Sequence, residues 1–377
     1  MKILHPWLEK MLGLLVLVAT ALAGLPGRAA AQENRATLFR VGVTTRRFTP
    51  AEPYNWRGAQ THALVTTIWY PADPASLEKS QWIGNPDSPF AAAGKAAPDA
   101  KIAPVPAKFP LVLLSHGTGA SALMMAWLGA DLAAHGYIAA AVNHPGNNAT
   151  EPYTPQGFIL WWERARDLSV VADKMLADIT FGPRIDPQRI GAAGFSLGGF
   201  TVIEIAGGIG VLSNYEAFCK SPRADGMCAD PVEFPGLLAK GEELQKSDPD
   251  FRAALEDARH SHRDPRIRAI FAMAPALGPA FQPDSLEKIS IPVEIVVGAD
   301  DSVVPVASSA SFFAKEIPRA KLTLLPGAGH YTLLATCGEL GHRVRPDLCN
   351  DSSSLDRDAV HAQTAAMALE FFSANLK

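Results

Sequence analysis

The chain has 377 residues, enough for one large domain or two small ones. A hydrophobic content of 48% supports a sizeable core, and a net charge of −4 leaves no basic stripe for nucleic acid. Glycine and proline, 30 of each, suit a loop-rich α/β protein better than a helical bundle.

Lys2 and Lys10 precede an apolar run from Met11 to Leu25, followed by Gly27-Arg28-Ala29-Ala30-Ala31-Gln32. This pattern predicts a secretory signal peptide over 1–31, cut after Ala31. The apolar run of about 15 residues falls short of the roughly 20 that span a bilayer. No cysteine stands at the cleavage point to carry a lipid. Nothing later is long and apolar enough to insert in a membrane, so the mature chain is expected in a bacterial periplasm or outside the cell. There, an even number of cysteines suggests disulfides. Nearest-neighbour pairing, Cys219–Cys228 and Cys337–Cys349, closes two short loops. Without C-x-x-C spacing or paired histidines, a metal site or a thiol nucleophile is the weaker reading.

Leu38 to Val43 and Ala63 to Tyr70 read as opening, antiparallel edge strands. Pro71 to Pro110 is Pro/Ala/Ser-rich and aperiodic, and reads as surface loop. Phe109 to Ser115 is a continuous apolar run, the mark of a buried parallel strand. It ends in the glycine-rich turn His116-Gly117-Thr118-Gly119. A helix with Leu128 and Leu132 on one face follows and stops at Gly136. Tyr137 to Val142 is a second buried strand, ending at Asn143-His144-Pro145-Gly146. His144 reads as lining a pocket mouth or bonding within its loop, because a better base lies downstream. Asn147 to Ile159 reads as loop. Trp161 and Trp162, either substrate-binding or core, lead into a helix with Leu168, Val171, Met175, Leu176 and Ile179 at helical spacing.

Arg189 to Ala193 is a short strand running into Gly194-Phe195-Ser196-Leu197-Gly198-Gly199, and Phe200 to Ala206 runs out as a helix. A serine on a strand-to-helix turn sits in strained backbone with small residues on either side. Gly207-Gly208-Ile209-Gly210 follows a helix and lacks Gly-Lys-Ser/Thr, so it is not a phosphate loop. From Val211 to Pro265 the pattern breaks into a charged insertion expected to cap the site, with helical stretches at Glu242–Lys246 and Phe251–Arg259. Its His260 and His262 read as solvated. Strands resume at Ala269–Ala274, Val293–Val297 and Lys321–Leu325, and a closing helix runs from Val360 to Leu376 with Met367 and Phe371 on one face.

Ser196, Asp301 and His330 each follow a strand, where parallel-sheet sites gather. A serine hydroxyl needs a base to take its proton, which is the part for His330, and an acid to hold that imidazole. Asp300 and Asp301 compete for the acid. Asp301 is favoured, three residues past Gly298 and four before Pro305. The backbone N–H groups of Thr118 and Leu197 are placed to stabilise an oxyanion.

Ser115-His116-Gly117-Thr118-Gly119-Ala120, the G-x-S-x-G-G turn, the Gly298–Pro305 turn and Gly327-Ala328-Gly329-His330 together resemble the platelet-activating factor acetylhydrolase-like and dienelactone hydrolase-like branch of the α/β-hydrolases. So do Thr67-Ile68-Trp69-Tyr70-Pro71, Trp162-Glu163-Arg164 to Asp167-Leu168-Ser169, and the tail from Cys349 through Leu355-Asp356-Arg357 to His361. The order Ser196, Asp301, His330 is that superfamily's. The resemblance covers roughly 38–377 without the insertion and implies an α/β-hydrolase fold: a mostly parallel sheet with helices on both faces. It also implies a serine esterase without metal or cofactor. Dienelactone hydrolases use a cysteine where this chain has Ser196, so an ordinary carboxylic ester is favoured over a lactone. Phe195, where many relatives have histidine, is expected mainly to pack.

These readings converge on a secreted serine hydrolase acting on a small-molecule ester, the acyl group short by family analogy alone. Amide, thioester, polyester or peracid chemistry on the same triad, and an inactive binding protein of the same fold, are the rivals. Nothing in the sequence sets the oligomeric state.

Overall fold

In a computed structural model, residues 38–377 are described, apart from residues 52 and 353. The signal-peptide reading over 1–31 lies outside them. The strands are β1 (Arg40–Phe48), β2 (Leu64–Ala72), β3 (Lys79–Asn85), β4 (Ser88–Pro98), β5 (Phe109–Ser115), β6 (Ile138–Val142), β7 (Ile185–Phe195), β8 (Ile267–Met273), β9 (Val293–Gly298) and β10 (Ala320–Leu325). The helices are α1 (Ala126–Ala134), α2 (Pro155–Ile159), α3 (Glu163–Ala177), α4 (Leu197–Ile205), α5 (Leu212–Cys219), α6 (Leu237–Ser247), α7 (Pro249–Asp257), α8 (Pro283–Leu286), α9 (Ala310–Glu316), α10 (Glu339–Val344), α11 (Pro346–Cys349) and α12 (Arg357–Asn375).

One sheet runs in the order β10-β9-β8-β7-β5-β6-β2-β1-β4-β3. The pairs from β6 through β5, β7, β8 and β9 to β10 are all parallel. β2 runs antiparallel to both β6 and β1. The sequence of β5 explains its central place: Leu111, Val112, Leu113 and Leu114 are each 0% exposed, and burying each such side chain contributes about 1.5–3 kcal/mol. A strand apolar on both faces needs helices on both. α1 and α12 pack together on one, and α3 and α4 pack together on the other. β5 has β6 on one side and β7 on the other, so the chain reverses its winding here. The crevice beyond the carboxyl ends of β5 and β7 is where such sheets bind ligands.

Several expectations change. Pro71–Pro110 is not loop: it contains β3 and β4, an antiparallel pair, with β4 also joined to β1. Alanine is a poor strand former, and β4 is largely alanine. Its pairing is secured instead by burial, with Ala91, Ala93 and Ala96 nearly sealed. The stretch read as loop from Asn147 ends in α2, whose start is capped by Thr154 Oγ1 accepting the N–H of Gly157 at 3.1 Å. α3 stops at Ala177, leaving Ile179 92% exposed. The buried face of α12 carries Ala368 and Phe372, one position on from Met367 and Phe371, because Phe372 seats against Gly191 and Phe271 of the sheet. Trp161 and Trp162 are core residues. His260 is exposed, but His262 is not solvated: its side chain is 11% exposed, folded toward Asp257 of α7.

Candidate active site

The turn after β7 places Ser196 at φ +56° and ψ −117°, a conformation that side chains rarely adopt and that costs about 1–3 kcal/mol. Surrounding bonds over-determine it. Ser196 donates its N–H to the Met273 carbonyl at 2.9 Å, and its own carbonyl accepts from Phe200 and Ala276, each at 3.1 Å. Close approach also requires two glycines. A Cβ on Gly194 would lie 2.1 Å from the Gly198 oxygen, and one on Gly198 would lie 1.9 Å from the Ser115 oxygen.

His330 Nε2 lies 3.0 Å from Ser196 Oγ, and His330 Nδ1 lies 2.7 Å from Asp301 Oδ2. Asp301 Oδ1 accepts the N–H groups of Val303 and Val304 at 3.0 and 2.8 Å. All three side chains are buried, whereas Asp300 is exposed and, among the described residues, only its backbone is engaged, donating to Ala328. The structure therefore joins Ser196 to Asp301 through His330. The Phe195 ring lies 4.9 Å from that of His330 and packs against Gly117, so this residue helps seat the imidazole as well as filling space.

Thr118 lies in the turn after β5, and Leu197 opens α4, where backbone N–H groups are unpaired and the helix dipole is positive. Neither N–H finds a protein acceptor among the described residues. The next one, Gly119, does: it donates to Asn147 Oδ1 at 2.7 Å, while its carbonyl accepts from Tyr153 at 2.7 Å. A family model described as alpha/beta hydrolase family matches residues 111–340, which include both turns and all three joined side chains.

The chain belongs to the alpha/beta hydrolase family.

A second model, platelet-activating factor acetylhydrolase isoform II, matches residues 64–157 of this hydrolase. Platelet-activating factor acetylhydrolase from Bos taurus is 46% identical over 46 residues, 12% of this chain and 10% of the cattle protein. Lipase 1 from Moraxella sp. (strain TA144) is 34% identical over 80 residues, 21% of this chain and 22% of that lipase. This chain thus matches 10% and 22% of the lengths of those two relatives. A solved ferulic acid esterase from Streptomyces cinnamoneus superposes with a TM-score of 0.61 at 21% identity, covering 90% of this chain and 91% of that one. At that identity the likeness is one of fold.

A cavity of about 310 Å³ opens over Ser196 and His330. Ile83 and Phe90 of the β3–β4 hairpin line it, as do Tyr153, Tyr331 and Leu348. Pro231 and Glu233 reach it from the 211–265 insertion, and Arg345 faces it from the segment closed by Cys337–Cys349. Burial pushes the Glu233 carboxyl above its usual range. Arg345 is held by a bidentate bond to Asp347. Both expected disulfides are present, Cys219–Cys228 and Cys337–Cys349. The second one lies where the chain after His330 meets the sheet: on either side of Cys337, Thr336 accepts from Ala92 of β4 and Gly338 donates to Phe90 of β4, each at 2.8 Å. Among the described residues, no group of three His, Cys, Asp or Glu is placed to hold a metal.

His144 departs from its expected place. It does not line the cavity; its carbonyl does bond within the loop, accepting from the Asn147 N–H at 3.1 Å and Asn148 Nδ2 at 2.9 Å, but its ring turns inward. It is fully buried, with Nδ1 2.6 Å from Asp167 and Nε2 2.9 Å from Ser115 Oγ. Asp167 also accepts from Arg57 at 2.7 and 3.0 Å and from Tyr54. Burial holds His144 well below its usual pKa, helped by Arg164 and Arg57, so the ring is neutral. Arg164 and Asp167 carried a signal that the sequence reading left unused: two charges on the apolar stripe of α3, beside Leu168 and Val171. A charge on a buried stripe has a partner there.

Proposed function

We propose that this hydrolase cleaves carboxylic esters through an acyl-Ser196 intermediate. The observation that carries the reading is the continuous hydrogen-bond path from Ser196 through His330 to Asp301, opening into the cavity. In this mechanism His330 Nε2 takes the proton from Ser196 Oγ as that oxygen attacks the ester carbonyl carbon. The carbonyl oxygen becomes an oxyanion, held by the N–H groups of Thr118 and Leu197. The intermediate collapses, the C–O bond to the alcohol breaks, and the leaving oxygen takes the proton from His330. Water then enters, gives a proton to His330 and attacks the acyl carbon. The second collapse releases the acid and returns the proton to Ser196. Asp301 keeps Nδ1 protonated throughout and stabilises the cation that forms at each attack.

A short acyl group fits the cavity of about 310 Å³, and the acetylhydrolase likeness over 64–157, which includes Thr118, supports it. Secretion is the companion proposal, supported by two disulfides of a kind that persists in oxidising compartments. No helix among the described residues is long and apolar enough to cross a membrane.

Hydrolysis of p-nitrophenyl acetate, butyrate and octanoate by the mature protein and its Ser196→Ala variant is the test. Turnover that falls with chain length and vanishes in the variant is expected, together with labelling of Ser196 by a fluorophosphonate. No turnover and no labelling of the wild type would overturn the reading in favour of a binding protein of this fold. Labelling without ester turnover would move the substrate to another acyl bond.

A further inference from the structure

The interior contains a second serine–histidine–aspartate relay, Ser115–His144–Asp167, with spacings of 2.9 and 2.6 Å against 3.0 and 2.7 Å in the open set. Each of its members is 0% exposed. No substrate reaches Ser115, so the relay serves the structure around it. Its neighbour Arg164 shows what it serves.

Arg164 is a fully buried cation whose donors point at neutral oxygens. Nη2 donates to the His116 carbonyl and, at 3.4 Å, to Ser115 Oγ. Nη1 lies 3.5 Å from Asn147 Oδ1, the oxygen that takes the Gly119 N–H. These contacts hold both flanks of the turn that carries Thr118. In the opposite direction Nε donates to Thr201 Oγ1 at 3.1 Å, and that hydroxyl donates to the Leu197 carbonyl at 2.9 Å. One guanidinium thus bridges the two segments whose N–H groups face the oxyanion. Asp167, close enough to act on the charge of Arg164, gives its hydrogen bonds to Arg57, His144 and Tyr54, so the N–H groups of Arg164 are directed at the two turns.

We propose that Arg164 is a positioning residue that fixes the separation of the Thr118 and Leu197 N–H groups and places a fixed positive charge behind the oxyanion they bind. The inference rests on the esterase reading above. Donors set for the transition state stabilise it only where their geometry is held, and a shift on the order of 1 Å costs about 10²-fold in rate. An arginine suits this bridge because its planar fork serves several acceptors at once, which a lysine cannot.

The test compares wild type with Thr201→Val, Thr201→Ser, Arg164→Lys and Arg164→Met. For each, kcat and KM for p-nitrophenyl acetate are expressed per site titrated by fluorophosphonate, so misfolded protein does not count. Inhibition by a trifluoromethyl ketone, which forms an oxyanion adduct on the serine, is measured alongside. Thr201→Val is expected to lower kcat about tenfold with KM within about twofold, and to weaken the ketone by the same factor; Thr201→Ser should restore both. Arg164→Met should lose about 10²-fold, with Arg164→Lys between it and wild type. If the Arg164 variants do not fold, the Thr201 pair decides. Unchanged kcat per titrated site in Thr201→Val, or a loss confined to KM, overturns the proposal. A wild type with neither turnover nor label fails the esterase reading itself, and the inference with it.

Discussion

Asp301 offers one carboxylate oxygen to His330 Nδ1 at 2.7 Å and the other to two backbone N–H groups of its own turn. The turn therefore aims the carboxylate, and the carboxylate aims the imidazole at Ser196. Asp301→Asn should keep the turn but favour the wrong tautomer of His330, with a loss in kcat on the order of 10³–10⁴. Asp300→Asn alters an exposed side chain and should stay within about twofold of wild type. Steady-state kinetics of the two variants check this, and the reverse ranking would give the acid's part to Asp300.

The Cys337–Cys349 bridge should matter more for activity than Cys219–Cys228. It closes the segment carrying Arg345 and Leu348 to the cavity. Asp351, just beyond it, accepts from Thr332 at 2.6 Å and from Arg357 at 2.7 Å, and Thr332 Oγ1 in turn accepts the Gly329 N–H at 3.0 Å. This chain reaches the residue before His330. Replacing Cys337 and Cys349 by serine should lower stability by about 3 kcal/mol and reduce kcat/KM. The corresponding Cys219/Cys228 variant should lower the melting temperature and leave kcat per titrated serine near wild type. Equal losses of kcat in both variants would contradict the assignment.

Much of this was readable from sequence because the decisive elements are local. Apolar runs marked β5, β6, β8 and β9, and three turns carried Ser196, Asp301 and His330. What escaped was set by tertiary partners. The alanines of β4 have little strand preference of their own and are ordered by β1, β3 and the His330 loop. His144 is a loop residue as read, but the partners of its ring escaped because Ser115 and Asp167 are 29 and 23 residues away. Glu233 and Arg345 are ordinary surface types in the sequence, and only chain folding brings them over the nucleophile.

Glu204 of α4 is fully buried, accepting the Gly210 N–H through Oε1 at 2.8 Å, while Oε2 has no partner among the described residues. Burial, with no cation beside it among the described residues, pushes the carboxyl well above its ordinary 4.5. The folded state therefore keeps a proton that the unfolded chain loses above pH 4.5. Stability is full below that value and declines as pH rises toward the folded pKa. Glu204→Gln retains the acceptor for Gly210 and removes the titration. Urea unfolding should find the variant more stable than wild type at pH 8, with a smaller difference or none at pH 5. A difference independent of pH would mean that Glu204 is not titrating against the fold.

His361 has the opposite sign. It stacks on Trp127 with ring centroids 4.4 Å apart, and its Nε2–H donates to the Thr332 carbonyl at 2.9 Å. Trp127 itself donates to Leu333 at 3.1 Å, so the two rings together hold the loop after His330. Burial pushes the imidazole from 6.5 down to about 4; Arg357 adds to that, while the bond to Thr332 and the charge of Asp358 oppose it. Between those values the unfolded chain binds a proton that the folded one refuses. Stability is thus full above pH 6.5 and falls as pH drops toward 4, by about 3 kcal/mol in all. His116 and His144 are also held neutral by burial and act in the same direction, so wild type alone does not isolate the effect. His361→Gln keeps a donor for Thr332 without a proton to gain. The difference in unfolding free energy between variant and wild type should move in the variant's favour as pH falls from 7 to 4.5. A constant difference across that range would remove His361 from the acid sensitivity of the loop.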